Sequence, residues 1–492
     1  MLEQPNVLLI TTDHWFGSLL GEAGHPHVQT PTLDQIARNG TRFTRAYSEC
    51  PVCIPARRTL MTGVSPRTHD DRVFKETLRM PDVPTVAQTF RNAGYQACAV
   101  GKLHVYPQRD RIGFDDVILG EEGRMQFGAV DDYELFLGDQ GFAGQQFTHG
   151  MCNNDYLNRP WHLPEHCHIT NWTTREMART IQRRNPFKPG FWFLSYCHPH
   201  PPLAPLQCYL DMYRDLDPEA PYSGYWSADP DALPFALRNR TEWSHLTPEQ
   251  IRSAKRAFYA LCTHIDHQIR VVIGTLREER LLDNTIILFT SDHGDMLGNH
   301  GQWAKRLFYE DSACVPMLLS GVAGDDRVGH HRTENRLVGW QDVMPTLLDL
   351  AGIDIPPSVE GISMVGDKRR EALYGECTEG ASATRMVHNG RHKLIYYATG
   401  NRVQLFDLAE DPRELNDLSD SADHTEIRKD LTNKLIAELY GSDETWVVNG
   451  QLVGLPDQPS GSKPNRGLSG QRGSHWPVPP QTGLKGPDLQ HN

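Results

Sequence analysis

A short stretch near the start of the chain combines a thiol, a rigid ring and a cation: Cys53-Ile54-Pro55-Ala56-Arg57, closing on Thr62-Gly63. A thiol beside a fixed guanidinium is an activated nucleophile, because the neighbouring positive charge favours the thiolate. Alone, the stretch also reads as a surface turn entering a helix with Cys53 half buried, so its chemistry depends on partners elsewhere. Two acid–imidazole pairs come next. Asp13-His14 follows the apolar run Asn6–Thr12, and Ser291-Asp292-His293-Gly294-Asp295 follows Thr285–Thr290. Carboxylate oxygens and imidazole nitrogens ligate divalent cations, and two such pairs at two strand ends make a four-donor set. Basic groups complete the inventory. Lys102 and His104 follow Gln96–Val100, His198 and His200 follow Gly190–Tyr196, and Lys305 lies 12 residues beyond His293. A metal, a nucleophile and a ring of Arg, Lys and His suit transfer of a tetrahedral oxyanion, where charge is stabilised on several oxygens at once.

The elements that must position these groups alternate in type. Asn6–Thr12, Gln96–Val100, Gly190–Tyr196, Thr285–Thr290 and Val315–Ser320 read as buried strands. Thr85–Ala93 and Trp172–Arg184 read as helices, as does a long amphipathic segment from Thr247-Pro248-Glu249-Gln250 to about Arg280. Thr32-Leu33-Asp34-Gln35 has capping-box spacing and is expected to open a helix ending at Gly40. This alternation predicts an α/β fold with a mostly parallel sheet flanked by helices, and functional groups at the strand ends. Beyond about residue 370 the short runs Ala372–Cys377, Arg385–Val387, His392–Tyr397 and Val403–Phe406, with the helix Glu426–Tyr440, predict a smaller antiparallel subdomain. The organisation expected is a catalytic domain over 1–370, an antiparallel-sheet subdomain over 371–449 and a Gly/Pro-rich tail over 450–492. The tail is read as disordered or as an arm over the body or over another subunit of a homo-oligomer, with Gln471–Trp476 as its docking element.

Two stretches, about 105–170 and 200–245, lose periodicity and read as insertions walling a leaving-group pocket. The first holds His162, His166, Cys167 and His168, whose spacing suits either zinc or substrate contacts. Hydrophobic residues at 38% and charged residues at 23% fit a globular chain of 492 residues with a sizeable core. A net charge of −13 argues against a nucleic-acid partner, while leaving room for an anionic substrate at a local basic cluster. No apolar run has the length of a membrane span. With Met1 as the start, the first residues read as a strand rather than a leader, which gives a cytoplasmic expectation with most of the ten cysteines reduced and buried.

The Cys53 stretch resembles the type I sulfatase signature, Cys-x-Pro-Ser/Ala-Arg followed by Thr-Gly. Gly101-Lys102-Leu103-His104, Pro199-His200-Pro201, Ser291–Asp295 through Lys305, and Leu405–Leu408 with Asp411-Pro412 match that family in order, over roughly 5–440. The resemblance implies the α/β sandwich of the alkaline phosphatase superfamily plus a small antiparallel subdomain. It implies that a formylglycine-generating enzyme oxidises Cys53 to formylglycine, whose hydrate attacks the sulfur of a sulfate ester. Asp13, His14, Asp292, His293 and the modified Cys53 would hold one divalent metal. Arg57 would orient the nucleophile, Lys102 and Lys305 would hold sulfate oxygens, His200 or Lys305 would protonate the leaving alcohol, and His104 would take the proton that releases the covalent sulfate.

His14 stands where relatives carry an O-donor, which tilts the expected metal from calcium towards manganese, with magnesium and zinc as further candidates. Ala56 stands where relatives often carry Ser; the guiding Cys, Pro and Arg remain, so modification is expected. The leading reading is a hydrolase of carbohydrate or aryl sulfate monoesters. A phosphonate monoester hydrolase or phosphodiesterase of the same superfamily is the alternative, and an inactive sulfatase-shaped binding protein is the alternative of another class.

Overall fold

Seven of the eight strands in the main sheet point the same way, and their ends meet at one edge. The computed structural model describes residues 4–124, 129–151, 154–240 and 245–459. In chain order the strands are β1 (Asn6–Thr12), β2 (Thr41–Tyr47), β3 (Gln96–Gly101), β4 (Asp116–Leu119), β5 (Gly190–Ser195), β6 (Thr285–Ser291), β7 (Met317–Ser320) and β8 (Arg332–Gly339). Their spatial order is β4-β3-β5-β1-β6-β7-β2-β8, with β7 antiparallel to both of its neighbours. The central strands are buried on both faces, as parallel strands between helical layers must be. Their side chains alternate: Leu8, Ile10, Trp192, Leu194 and Phe289 enter one core, while Val7, Leu9, Phe191, Phe193 and Leu288 enter the other.

The first core is covered by α1 (Pro31–Arg38) and by the long helix Pro248–Glu278. The expected capping box of the long helix is present: Gln250 N donates to Thr247 Oγ1 at 3.3 Å, and Thr247 N to Gln250 Oε1 at 2.8 Å. The box expected at Thr32–Gln35 is absent. That helix starts at Pro31, and its first amides are capped from a distance: Asp266 of the long helix accepts from Thr32 N at 3.1 Å and Leu33 N at 2.8 Å. A tertiary carboxylate thus replaces the local cap.

A second sheet of four antiparallel strands runs β12-β11-β10-β9, with β9 Leu373–Cys377, β10 Thr384–His388, β11 His392–Tyr397 and β12 Arg402–Asp407. One face buries Val387, Leu394 and Leu405 under the helix Thr425–Glu438, and the other packs Met386, Ile395 and Phe406 against Phe308 and Tyr309 of the main body. The buried Lys393 ammonium ties the second sheet to the main body through Glu310 at 2.6 Å and also pairs with Glu414 at 2.7 Å. The chain continues to a short hairpin at Val447–Val448 and Gln451–Leu452. The Gln471–Trp476 cluster lies outside the described residues.

Part of the first insertion is regular. Strand β4 pairs in parallel with β3, and Asp131 caps the helix Asp132–Asp139 by accepting from Glu134 N at 2.8 Å. Of the two readings of His162, His166, Cys167 and His168, zinc has no support among the described residues, because the three histidine rings turn to separate partners. His162 bonds Gln145 O at 2.8 Å, His166 bonds Gln140 Oε1 at 3.2 Å, and His168 bonds Ala204 O at 3.2 Å.

Gly101 closes β3 with φ +106°, and a Cβ there would sit 1.9 Å from the Ser195 carbonyl oxygen of β5. Only glycine fits this approach, and it sets where Lys102 begins. Gly101→Ala is therefore expected to cost about 3 kcal/mol of stability, read from the shift of the denaturant midpoint.

Candidate active site

Four adjacent strands, β3-β5-β1-β6, deliver the polar groups. Lys102 and His104 follow β3, His198 and His200 follow β5, Asp13 and His14 follow β1, and Asp292 and His293 follow β6. Because β1 and β6 pair in parallel with Thr12 opposite Ser291, the two acid–imidazole pairs lie side by side.

The nucleophile arrives from a helix. Cys53 is the first residue of Cys53–Thr62, after an N-cap Val52 that gives no side-chain cap, so the thiol sits at the positive end of the helix dipole. Pro55 falls in the first turn, where its missing N–H costs nothing. Arg57 is one turn on, and helical side chains lean towards the N-terminus, so its guanidinium reaches back over Cys53. Its Nε donates to Asp292 Oδ2 at 3.1 Å, and Nη1 to Lys102 O at 3.0 Å and Ser195 Oγ at 2.7 Å. Gly63, left-handed at φ 66°, ends the helix with its amide on Thr59 O at 2.8 Å. Cys53, Pro55, Arg57 and Gly63 of the motif thus each have a local job.

Around Cys53 Sγ stand Lys305 Nζ at 2.7 Å, His293 Nε2 at 3.3 Å and Asp13 Oδ1 at 3.7 Å, with the cysteine fully buried. Burial and Asp13 push the thiol up, but Lys305, Lys102 and His293 outweigh them, and the net shift is downward. Burial likewise raises the Asp13 carboxyl, yet Lys102, His200 and Lys305 hold it well below its ordinary value. Lys102 pairs with Asp13 Oδ2 and, at 2.9 Å, with Glu122; these partners overcome burial and keep it protonated.

A divalent cation fits this donor set. Lys102 occupies Asp13 Oδ2 and Arg57 occupies Asp292 Oδ2, which leaves each carboxylate one oxygen turned inward. Those inner oxygens lie 3.3 and 3.5 Å from His293 Nε2, while His293 Nδ1 lies 2.9 Å from Gly294 O. An imidazole held on a carbonyl through one nitrogen offers the other as a ligand. Asp13, Cys53, Asp292 and His293 thus bring one ligand atom each within 4.8 Å of one another. His14 does not join that quartet; it forms a second group with Asp13 and His200. Burial and Lys305 push the His14 imidazole down to about 4.

His200 Nε2 contacts Lys305 Nζ at 3.3 Å while its Nδ1 faces Pro201 O, so Lys305 bridges His200 and Cys53. Burial and then Lys305 hold His200 neutral, well below its ordinary value. His104 has φ 58°, and neither ring nitrogen has a hydrogen-bond partner among the described residues. Its backbone is fixed by Glu121 Oε1, which accepts from Leu103 N at 2.7 Å and His104 N at 2.9 Å. His198 turns aside, its Nδ1 on His200 O at 3.1 Å.

Asp13, His14, Arg57, Lys102, His200, Asp292, His293 and Lys305 converge on Cys53 or on its immediate partners, whereas His104 lies beside Glu121 and His162, His166, Cys167, His168 and His198 stay outside that set. Sequence reasoning missed Glu121, Glu122, Ser195 and Asp295. The Glu121-Glu122 pair just after β4 was the one available signal, since adjacent buried acids imply cations to meet them. A cavity beside His200 and Glu122 is walled by Phe147, His149 and Trp161 from the first insertion.

Fold and site define an alkaline-phosphatase-like α/β enzyme. The chain belongs to the sulfatase family: the Sulfatase family model matches residues 5–353, and the model for the C-terminal part of N-sulphoglucosamine sulphohydrolase matches 298–440. It is 34% identical over 468 residues to an arylsulfatase of Clostridium perfringens, covering 92% of this chain and 97% of that one. It is 31% identical to a choline-sulfatase of Rhizobium meliloti, covering 85% and 83% respectively. Among solved structures, the phosphonate monoester hydrolase of Agrobacterium radiobacter superposes with a TM-score of 0.76 at 23% identity, covering 88% of this chain and 95% of that one, which shows a shared fold.

Proposed function

We propose that this sulfatase hydrolyses monoesters of carbohydrate or aryl alcohols, with Cys53 matured to formylglycine by a formylglycine-generating enzyme. The observation that supports it best is the setting of Cys53, at a helix N-terminus with Lys305 at 2.7 Å and His293 at 3.3 Å. A single divalent cation, manganese or calcium, would be held by Asp13, Asp292, His293 and the modified residue 53, with His14 alongside. That cation would supply positive charge where negative charge develops on the ester oxygens. Formylglycine would supply a hydrated aldehyde, whose second hydroxyl offers an exit that a plain Ser or Cys lacks.

The chain's own residues do the rest. Arg57, tied to Asp292 and Ser195, fixes the side chain of residue 53 against the positive helix end. Lys102 and Lys305 bracket the sulfate oxygens and are already in place before substrate arrives, so little reorganisation is needed. Lys305 and His200, in contact with each other, stand on the side where the leaving alcohol takes its proton. His104, buried and neutral, with ring nitrogens that have no hydrogen-bond partner among the described residues, would accept one. The cavity beside His200 receives the alcohol, and its aromatic walls suit a sugar or an aryl ring.

Protein co-expressed with a formylglycine-generating enzyme is expected to yield a tryptic peptide carrying the aldehyde at position 53 and to turn over aryl sulfate faster than an aryl phosphonate monoester. An unmodified Cys53 peptide from fully active protein would overturn the aldehyde, and a large excess for phosphonate would overturn the sulfate preference.

A further inference from the structure

The last acid of Ser291–Asp295 has no role in the chemistry above, yet its carboxylate organises two sides of the site. Asp295 is fully buried. Oδ2 pairs with His14 Nδ1 at 2.6 Å and also accepts from the Tyr156 hydroxyl. Oδ1 accepts two backbone amides, Leu297 N at 2.9 Å and Ala304 N at 3.2 Å. Ala304 and Arg306 flank Lys305 with φ 60° and 73°, a conformation that side-chain-bearing residues avoid unless held. A carboxylate can only accept, so Nδ1 of His14 must carry its proton. The opposite nitrogen, Nε2, then bears the lone pair. It is buried, 3.7 Å from Asp13 Oδ1, and has no hydrogen-bond partner among the described residues.

We propose that Asp295 is a positioning residue for the metal pocket: it fixes His14 as the Nδ1–H tautomer, so that Nε2, outside the quartet but beside an oxygen of Asp13, which both groups share, is offered to the cation as a further ligand, and it clamps the loop that carries Lys305. The proposal rests on the metal-dependent reading given above. A carboxylate behind a ligating imidazole sets both its tautomer and its basicity, and removing such partners costs about ten- to a hundredfold in metal affinity. Tyr156, whose phenol burial and Asp295 keep protonated, fills the remaining acceptor site of the same oxygen.

Asp295→Asn tests this sharply. The two backbone amides need an acceptor, so the amide oxygen stays with them and its NH2 faces His14. That reverses the tautomer and places a proton on Nε2. The expected result is Mn2+ affinity about ten- to a hundredfold weaker by calorimetry, with one imidazole nitrogen instead of two coupled to Mn2+ in pulsed EPR. In a His14→Gln background the same change should cost nothing further, as a coupled pair requires.

Unchanged affinity with two nitrogens retained would overturn the proposal, as would an equal loss in both backgrounds, which marks a purely structural role. A wild-type chain that binds no divalent cation would overturn the metal-dependent reading itself, and this proposal with it. A second measurement needs no change at Asp295: imidazole 15N NMR of the wild-type apoprotein, with His14 assigned through His14→Gln, should show the Nδ1–H tautomer. An Nε2–H tautomer overturns the proposal even if Asp295→Asn fails to fold.

Discussion

Cys53→Ala is expected to fold and to lose sulfate ester hydrolysis by on the order of a thousandfold or more, because Lys102, Lys305 and the cation would then surround an ester with nothing to attack it. The fully buried thiol sits among charged groups rather than in an apolar core, so its removal should shift thermal stability little. Cys53→Ser separates attack from release. A serine hydroxyl can accept sulfate but has no second hydroxyl to expel it. That variant is expected to show at most one turnover per site and to accumulate a mass adduct on the peptide bearing residue 53. Sustained multiple turnover by the serine form would remove the reason for an aldehyde.

Arg57→Ala is expected to cost both stability and rate. Arg57 is 2% exposed, and Asp292 and Asp13 hold its guanidinium protonated against the pull of burial. Without it Asp292 Oδ2 is left buried and unpaired, Ser195 Oγ loses a donor and the Lys102 carbonyl loses its partner. Breaking a buried pair from one side costs about 3–5 kcal/mol, which denaturant unfolding of the apoprotein will read. The loss of turnover should be about a hundred- to a thousandfold, the range found when a preorganised donor is removed. Arg57→Lys should recover little of either, since one ammonium cannot span three acceptors in different directions. Destabilisation below about 1 kcal/mol would mean that water replaces the guanidinium and that the cluster is more open than its burial indicates.

The sequence made the strand-end chemistry legible because parallel strands put their C-termini on one edge, so Asp13-His14 and Asp292-His293 could become neighbours; the adjacency of β1 and β6 itself came from the fold. Arg57 was legible as the cation that closes the short Cys53–Arg57 motif. Glu122, Ser195 and Asp295 were not, since each acts only through a contact made after folding. The same holds for elements. Strand β2 carries arginines at 42 and 45, β8 begins with exposed polar residues, and β4 is a short edge strand opening on an exposed aspartate. None offers the apolar run that marks β1 or β6. The helix start at Pro31 was misread for a related reason: its cap comes from Asp266, distant in sequence, where a local box had been expected.

The enclosure of Cys53 also sets an order of events. No part of its surface is open in the folded chain, and the groups that shut it in come from Asp13 at one extreme and Lys305 at the other. On the formylglycine reading proposed above, an enzyme converting this residue would need the strand of chain itself, extended and reachable, before β6 and the Lys305 loop have docked. Maturation and folding would then compete, and a chain that closed first would keep its thiol.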